Sequence, residues 1–140
     1  MSRERPGFRE LDHTADVAVR VWGDSLSALL ANAGYAMFFL MSDQLAQVSL
    51  EAERSLALEA GDRETLLVDW LSELLFLHEM EGELYREFEV RASEELRLSA
   101  RVRGGKPRAP LRRFIKAVTY HGLEVVPRDG GLETSIVFDI

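Results

Sequence analysis

The spacing of apolar residues changes along this chain, and that change limits the fold more than any other feature. Leu26, Leu29, Leu30, Ala33, Met37 and Leu40 recur at three- and four-residue intervals, as on one face of a helix. Leu67, Trp70, Leu71, Leu74, Leu75 and His78 do the same. Most of the remaining chain alternates with period two, the signature of strands with one buried face. Val17, Val19 and Val21 alternate with Ala18, Arg20 and Trp22. Val48, Leu50, Ala52, Leu56 and Leu58 form a second such run, with Arg54 as its misfit. Leu84, Phe88 and Val90 form a third, and Leu96, Leu98, Ala100 and Val102 a fourth.

Turn chemistry divides these runs. Gly23-Asp24 breaks the first strand, with Asp24 expected as the N-cap of the following helix. Gly34 marks close packing along that helix. Gly61-Asp62 ends the next strand and caps the second helix, which Gly82 closes. Ser93-Glu94-Glu95 joins two strands as a hairpin, and Gly104-Gly105-Lys106-Pro107 opens a loop. Residues 114–121 and 123–126 read as strands with a turn near Gly122, and Asp129-Gly130-Gly131 signals a hairpin. The last strand covers residues 134–140. The order is β-α-β-α followed by several strands. The expectation is an α+β fold: a two-layer sandwich with an antiparallel or mixed sheet and two helices on one face. One domain, residues 1–140, accounts for the whole chain.

Composition then limits function. With 46% hydrophobic residues the chain can bury a core without staples, and the absence of cysteine excludes disulfides, thiolate nucleophiles and thiolate zinc sites. Residues 1–8 lack the apolar stretch of a secretory signal, and the apolar run 35–41 is too short to span a bilayer. A soluble, cytoplasmic protein without membrane partners is expected. The net charge of −7 disfavours phosphate neutralisation as the main task. It favours cations or a basic surface on another protein.

Three stretches hold residues capable of chemistry. Asp12-His13-Thr14-Ala15-Asp16 places carboxylates and an imidazole before a strand. Such residues bind a hard cation, serve as acid or base, or close a turn through backbone hydrogen bonds. At the other end, Asp139 lies beside Ile140, whose terminal carboxylate adds a second acidic group. These oxygen donors suit calcium, magnesium or manganese, provided that the strand does not fray. Lys116 lies inside an apolar strand, so its ammonium either meets a carboxylate or reaches water along a packed stem. His13, His78 and His121 have no metal-ligand spacing, and His78 reads as a hydrogen-bonded core residue. Arg101, Arg103, Lys106, Arg108, Arg112 and Arg113 form one basic cluster, read as a solvated strand edge and loop.

Taken together, three segments resemble the archease family. They are Asp12-His13-Thr14-Ala15-Asp16 leading into Val17 to Leu26, then Ile115-Lys116-Ala117-Val118-Thr119-Tyr120-His121, and the ending Val137-Phe138-Asp139-Ile140. The helix over residues 66–79 is similar in character to the second archease helix. The resemblance implies an accessory protein, not an enzyme, that works with RtcB-type RNA ligases in tRNA splicing and RNA repair. It implies promotion of ligase guanylylation and of turnover, with tRNA met only through the ligase. It further implies Asp16, Asp139 and the Ile140 carboxylate as metal ligands, calcium as the metal, and Lys116 as a residue important for activation. The segment 104–113 is more basic than the family pattern, which often has a glutamate after the corresponding glycine and often a histidine further on.

Two other readings stay open at this point. A metal-dependent phosphoester hydrolase would use Asp16 and Asp139 and would turn over by itself. An RNA-binding chaperone would use the basic segment 101–113 and would bind RNA with strong salt dependence.

Overall fold

In the computed structural model, residues 4–5, 7–11 and 16–140 are described. The strands are β1 (Glu4–Arg5), β2 (Phe8–Leu11), β3 (Asp16–Gly23), β4 (Ala52–Glu59), β5 (Leu84–Ala92), β6 (Arg97–Gly105), β7 (Ala117–Val118), β8 (Val126–Arg128) and β9 (Gly131–Asp139). The helices are α1 (Leu26–Met41) and α2 (Arg63–Glu81), with a 3-10 turn at Leu45–Gln47.

The α+β class and the antiparallel pairing hold, and the strands divide between two sheets. One runs β1-β2-β3-β9-β7, with β8 also pairing β9; the other runs β4-β6-β5. Helix α1 touches β3 and β5, so it joins the two sheets, while α2 packs on α1, β4 and β7. The division follows from chain order. Strands β4, β5 and β6 pair among themselves. The chain then returns to add β7 and β8 to the free side of β9.

The helix ends are fixed by side chains. Asp62 accepts from the Thr65 backbone N–H at 2.7 Å, as expected of an N-cap. At α1 the N-cap is Ser25, whose Oγ accepts from the Ala28 N–H at 3.1 Å. Asp24, expected in that role, lies one residue too early. Gly82 ends α2 in the left-handed region at φ 67°, and its N–H donates to the His78 carbonyl at 2.8 Å.

The core forms where the expected apolar faces meet. Val17, Val19, Val21, Leu29, Met37, Trp70, Leu74, Val102 and Phe138 are among its buried members. Each such side chain contributes roughly 1.5–3 kcal/mol by leaving water. Trp70 is fully buried, and its indole N–H donates to the Leu30 carbonyl at 2.8 Å, tying α2 to α1. Gly34 lets α1 approach the second sheet, since a Cβ there would lie 2.8 Å from the Phe88 ring.

Several boundaries differ from the sequence expectation. Residues 114–121 give only the two-residue strand β7, and residues 123–126 give way to β8 three residues later. A turn separates them: the Leu123 N–H donates to the Tyr120 carbonyl at 3.0 Å, and Gly122 has φ 64°. Leu96 lies in the hairpin turn at φ 61° and not in a strand. Gly104 and Gly105, expected to open a loop, complete β6. Strand β2 is an addition, with Phe8 buried against the rings of Tyr35 and Phe39.

Candidate functional site

Strand β9 brings the distant acidic segments together. It lies between β3 and β7, and the β3–β9 register sets Asp16 opposite Asp139. Side chains directly opposite in an antiparallel pair project from the same face. Val17 faces Phe138 one step inward, and both are buried. The buried step fixes the register, because a slip of one residue would expose Phe138 and bury Asp139. Asp139 is exposed and Asp16 half-buried. Ile140 follows the end of β9, next to Asp139, and is 40% exposed.

On the other side of β9, Ala117 pairs with Asp139, and the Lys116 N–H donates to the Asp139 carbonyl at 2.8 Å. The Thr119 N–H and Oγ1 both donate to the Val137 carbonyl, at 3.0 and 3.1 Å. The main chain of residues 116–119 thus anchors the end of β9. The Lys116 side chain is exposed and lines a groove beside α2 with Phe76 and Glu79. Among the described residues it makes no ion pair with Asp16 or Asp139.

Asp12, His13, Thr14 and Ala15 lie outside the described residues. His121 is exposed and follows the Thr119 turn, its N–H donating to Thr119 Oγ1 at 3.3 Å. Among the described residues no three His, Asp or Glu side chains converge as a metal cluster. The oxygen donors expected from the sequence that the structure sets near one another at this sheet end are Asp16 and Asp139, with Ile140 next in the chain. Such a donor set fits a hard divalent cation in its chemistry.

The basic cluster is largely consumed by neighbours. Arg101 bonds Glu89, Arg103 bonds Glu87 at 3.1 Å, and Arg112 bridges Glu10 at 3.2 Å and Asp43 at 3.1 Å. Arg113 donates to the Leu40 carbonyl at 2.9 Å, and the Lys106 ammonium to the Glu81 carbonyl. The pairing with Glu89 raises the Arg101 pKa further. These groups tie strands and helix ends together instead of forming a continuous free cationic face.

A second polar network was legible only as the misfit Arg54. Its guanidinium donates to both Glu83 oxygens, at 3.0 and 2.8 Å, and lies 3.6 Å from Glu81. The buried Tyr85 hydroxyl donates to Glu83 at 2.7 Å. The His78 Nδ1 is 2.8 Å from the Glu83 carbonyl, which agrees with a hydrogen-bonded His78 at the edge of the core. The Arg54 hydrogen bonds hold the Glu83 carboxyl below its ordinary pKa against the opposing effect of burial, and the Tyr85 bond adds to the lowering. Burial, then the Glu83 bond, push the Tyr85 phenol up. No sequence motif flags Glu83 or Tyr85.

The chain matches the Archease protein family over residues 8–140. A protein archease of Methanopyrus kandleri is 41% identical over 142 aligned residues, covering 95% of this chain and 99% of that one. A protein archease of Methanosarcina barkeri is 36% identical with 100% of both chains covered. The solution structure of Methanobacterium thermoautotrophicum protein 1598 superposes with a TM-score of 0.80 at 31% identity, covering 96% of this chain and 99% of that one. The chain belongs to the archease family.

Proposed function

We propose that this archease activates an RtcB-type RNA ligase by promoting guanylylation of the ligase, and does not join RNA itself. The observation that carries the reading is the register that sets Asp16 opposite Asp139 at the open end of β3 and β9. Two carboxylates and a chain terminus at one exposed sheet end suit insertion toward a partner's active site. Family membership over residues 8–140 supports the same role.

Asp16, Asp139 and the Ile140 carboxylate would hold a divalent cation, calcium first, with magnesium or manganese suited by the same donors. When bound, such a cation supplies positive charge for phosphate oxygens. The protein's own contribution is positional. β9 is clamped on both sides, by β3 and by the 116–119 main chain, so the Asp139 backbone cannot drift when a partner approaches. Lys116 offers an exposed ammonium at the same sheet end, where its backbone N–H bonds the Asp139 carbonyl. Its role is to meet an anionic group that the partner presents. The same reading places the chain in the cytoplasm, with tRNA met only through the ligase.

The test is ligase guanylylation with GTP and manganese, with and without this chain. Strong stimulation that disappears in Asp16→Ala and Asp139→Ala is the expected result. No stimulation by folded, untagged protein overturns the reading and sends attention to hydrolysis by the isolated chain.

A further inference from the structure

The outer face of α2 combines two unusual properties. Phe76 and Met80, one turn apart, are 54% and 67% exposed. Around them Asp69, Glu73 and Glu79 make no ion pair among the described residues, and α2 has no lysine or arginine after Arg63. Beside Phe76 a groove of about 240 Å³ runs between α2 and β7. Ser72, Phe76 and Glu79 form one wall, and Lys116 and Val118 the other. That volume suits one large apolar side chain. Phe114, two residues before Lys116, is 74% exposed, the highest value for a large hydrophobic among the described residues.

Scattered apolar residues at a surface need no explanation, but here Phe76 lines a groove and Met80 lies one turn further along an acidic helix face. The groove also adjoins the candidate site, because Lys116 lines it while its N–H holds the Asp139 carbonyl. An apolar anchor beside an acidic helix face, with Lys116 on the opposite wall, has the apolar centre and charged rim of a steered protein interface.

We propose that this groove is the docking surface for the ligase, which inserts an apolar side chain between Phe76 and Val118 and sets basic residues against Asp69, Glu73 and Glu79. The proposal rests on the activator reading above. It adds a division of labour: the α2 face supplies affinity, and the Asp16–Asp139 end supplies activation.

The experiment titrates the full chain into ligase, GTP and manganese and reads both the half-activating concentration and the rate at saturation. Direct binding of the labelled chain to the ligase is measured alongside. Phe76→Ser with Met80→Ser changes only exposed groups, so circular dichroism should remain native. Docking predicts a half-activating concentration raised by about tenfold or more, with the saturating rate unchanged. Glu79→Lys should add to the shift and reduce its salt dependence. Asp139→Ala should do the opposite, losing the saturating rate while still binding. Unaltered half-activation and binding in the Phe76–Met80 variant would overturn the docking surface and leave the activator reading intact. A wild-type chain that self-associates through these residues would also overturn it, by making a second copy the occupant. Wild type that binds without stimulating at any concentration would instead refute the activator reading.

Discussion

Asp16 and Asp139, 123 positions apart in sequence, are direct partners across β3 and β9. Like charges set opposite each other weaken a strand pair by roughly 0.2–1 kcal/mol. On the cation-binding reading proposed above, a bound cation relieves that repulsion. In chelator, Asp16→Asn and Asp139→Asn should each melt at or slightly above the wild-type temperature. Calcium should raise the wild-type melting temperature and leave both variants unmoved. Scanning calorimetry with and without calcium reads this directly. A variant melting far below wild type in chelator would make the carboxylate a structural hydrogen-bond acceptor instead.

The chain end leads to a second expectation. Ile140 lies just past β9 and is partly exposed, so added residues have room and should not disturb the core. They would, however, move the terminal carboxylate away from Asp139. A short extension after Ile140 should leave the melting temperature in chelator unchanged while lowering calcium affinity and ligase stimulation together. Full stimulation by a bulky C-terminal fusion would remove the terminal carboxylate from the site.

The long periodic segments were legible because burial dictates them. The two helices and the strands at Val17–Val21 and Leu98–Val102 carry a pattern that only one face-in arrangement satisfies. The join of Asp16 to Asp139 was legible only as a possibility, since strand order is not written in local periodicity. Residues 114–126 misled for a physical reason. Their apolar content reflects a segment laid along β9 by isolated hydrogen bonds and a turn at Gly122, not a continuous ladder. Asp24 misled because Ser25 caps equally well and lies at the position where α1 begins. Arg54 was visible as an anomaly, but its partner Glu83 is 29 residues away, just before β5 on the far side of β6, with nothing local to announce it.

That pair predicts a pH dependence. The Glu83 carboxyl is held below its ordinary pKa in the folded chain, so the folded state binds its proton less readily than the unfolded state. The stabilisation is fully present above the unfolded carboxylate pKa, about 4.3, and is lost as pH falls below it toward the folded value. Glu83→Gln should therefore be less stable than wild type at neutral pH, with the gap narrowing on acidification below about pH 4. At neutral pH, Glu83→Ala should cost about 2–3 kcal/mol, since it also strands the buried Tyr85 hydroxyl. Urea melts of the three proteins across pH 3 to pH 7 (a range set by about one unit either side of the carboxylates, extended to neutrality) would read both effects. A gap independent of pH would mean that packing, not the ion pair, is what Glu83 contributes.

Gly104 leads to the sharpest stability expectation. It sits in the central strand of the three-stranded sheet, paired to Ala52 on one side and Tyr85 on the other. Strand β5 is irregular there, with a register shift between Tyr85 and Glu87. A Cβ on Gly104 would lie 1.8 Å from the Leu84 carbonyl oxygen. Backbone, unlike a flexible side-chain tip, cannot yield cheaply. Gly104→Ala should therefore destabilise by about 3–5 kcal/mol, near the upper end for single substitutions. Gly61→Ala is the natural control, because nothing lies within 4 Å of its Cβ position and its φ is not in the left-handed region. There the methyl group reduces only the freedom of the unfolded chain and should add up to about 1 kcal/mol of stability. Paired urea melts of the two variants test whether the sheet is as tightly closed as the register requires. Similar stability for both would mean that β5 relaxes around Gly104, and that the β5 irregularity is a soft joint instead of a fixed one.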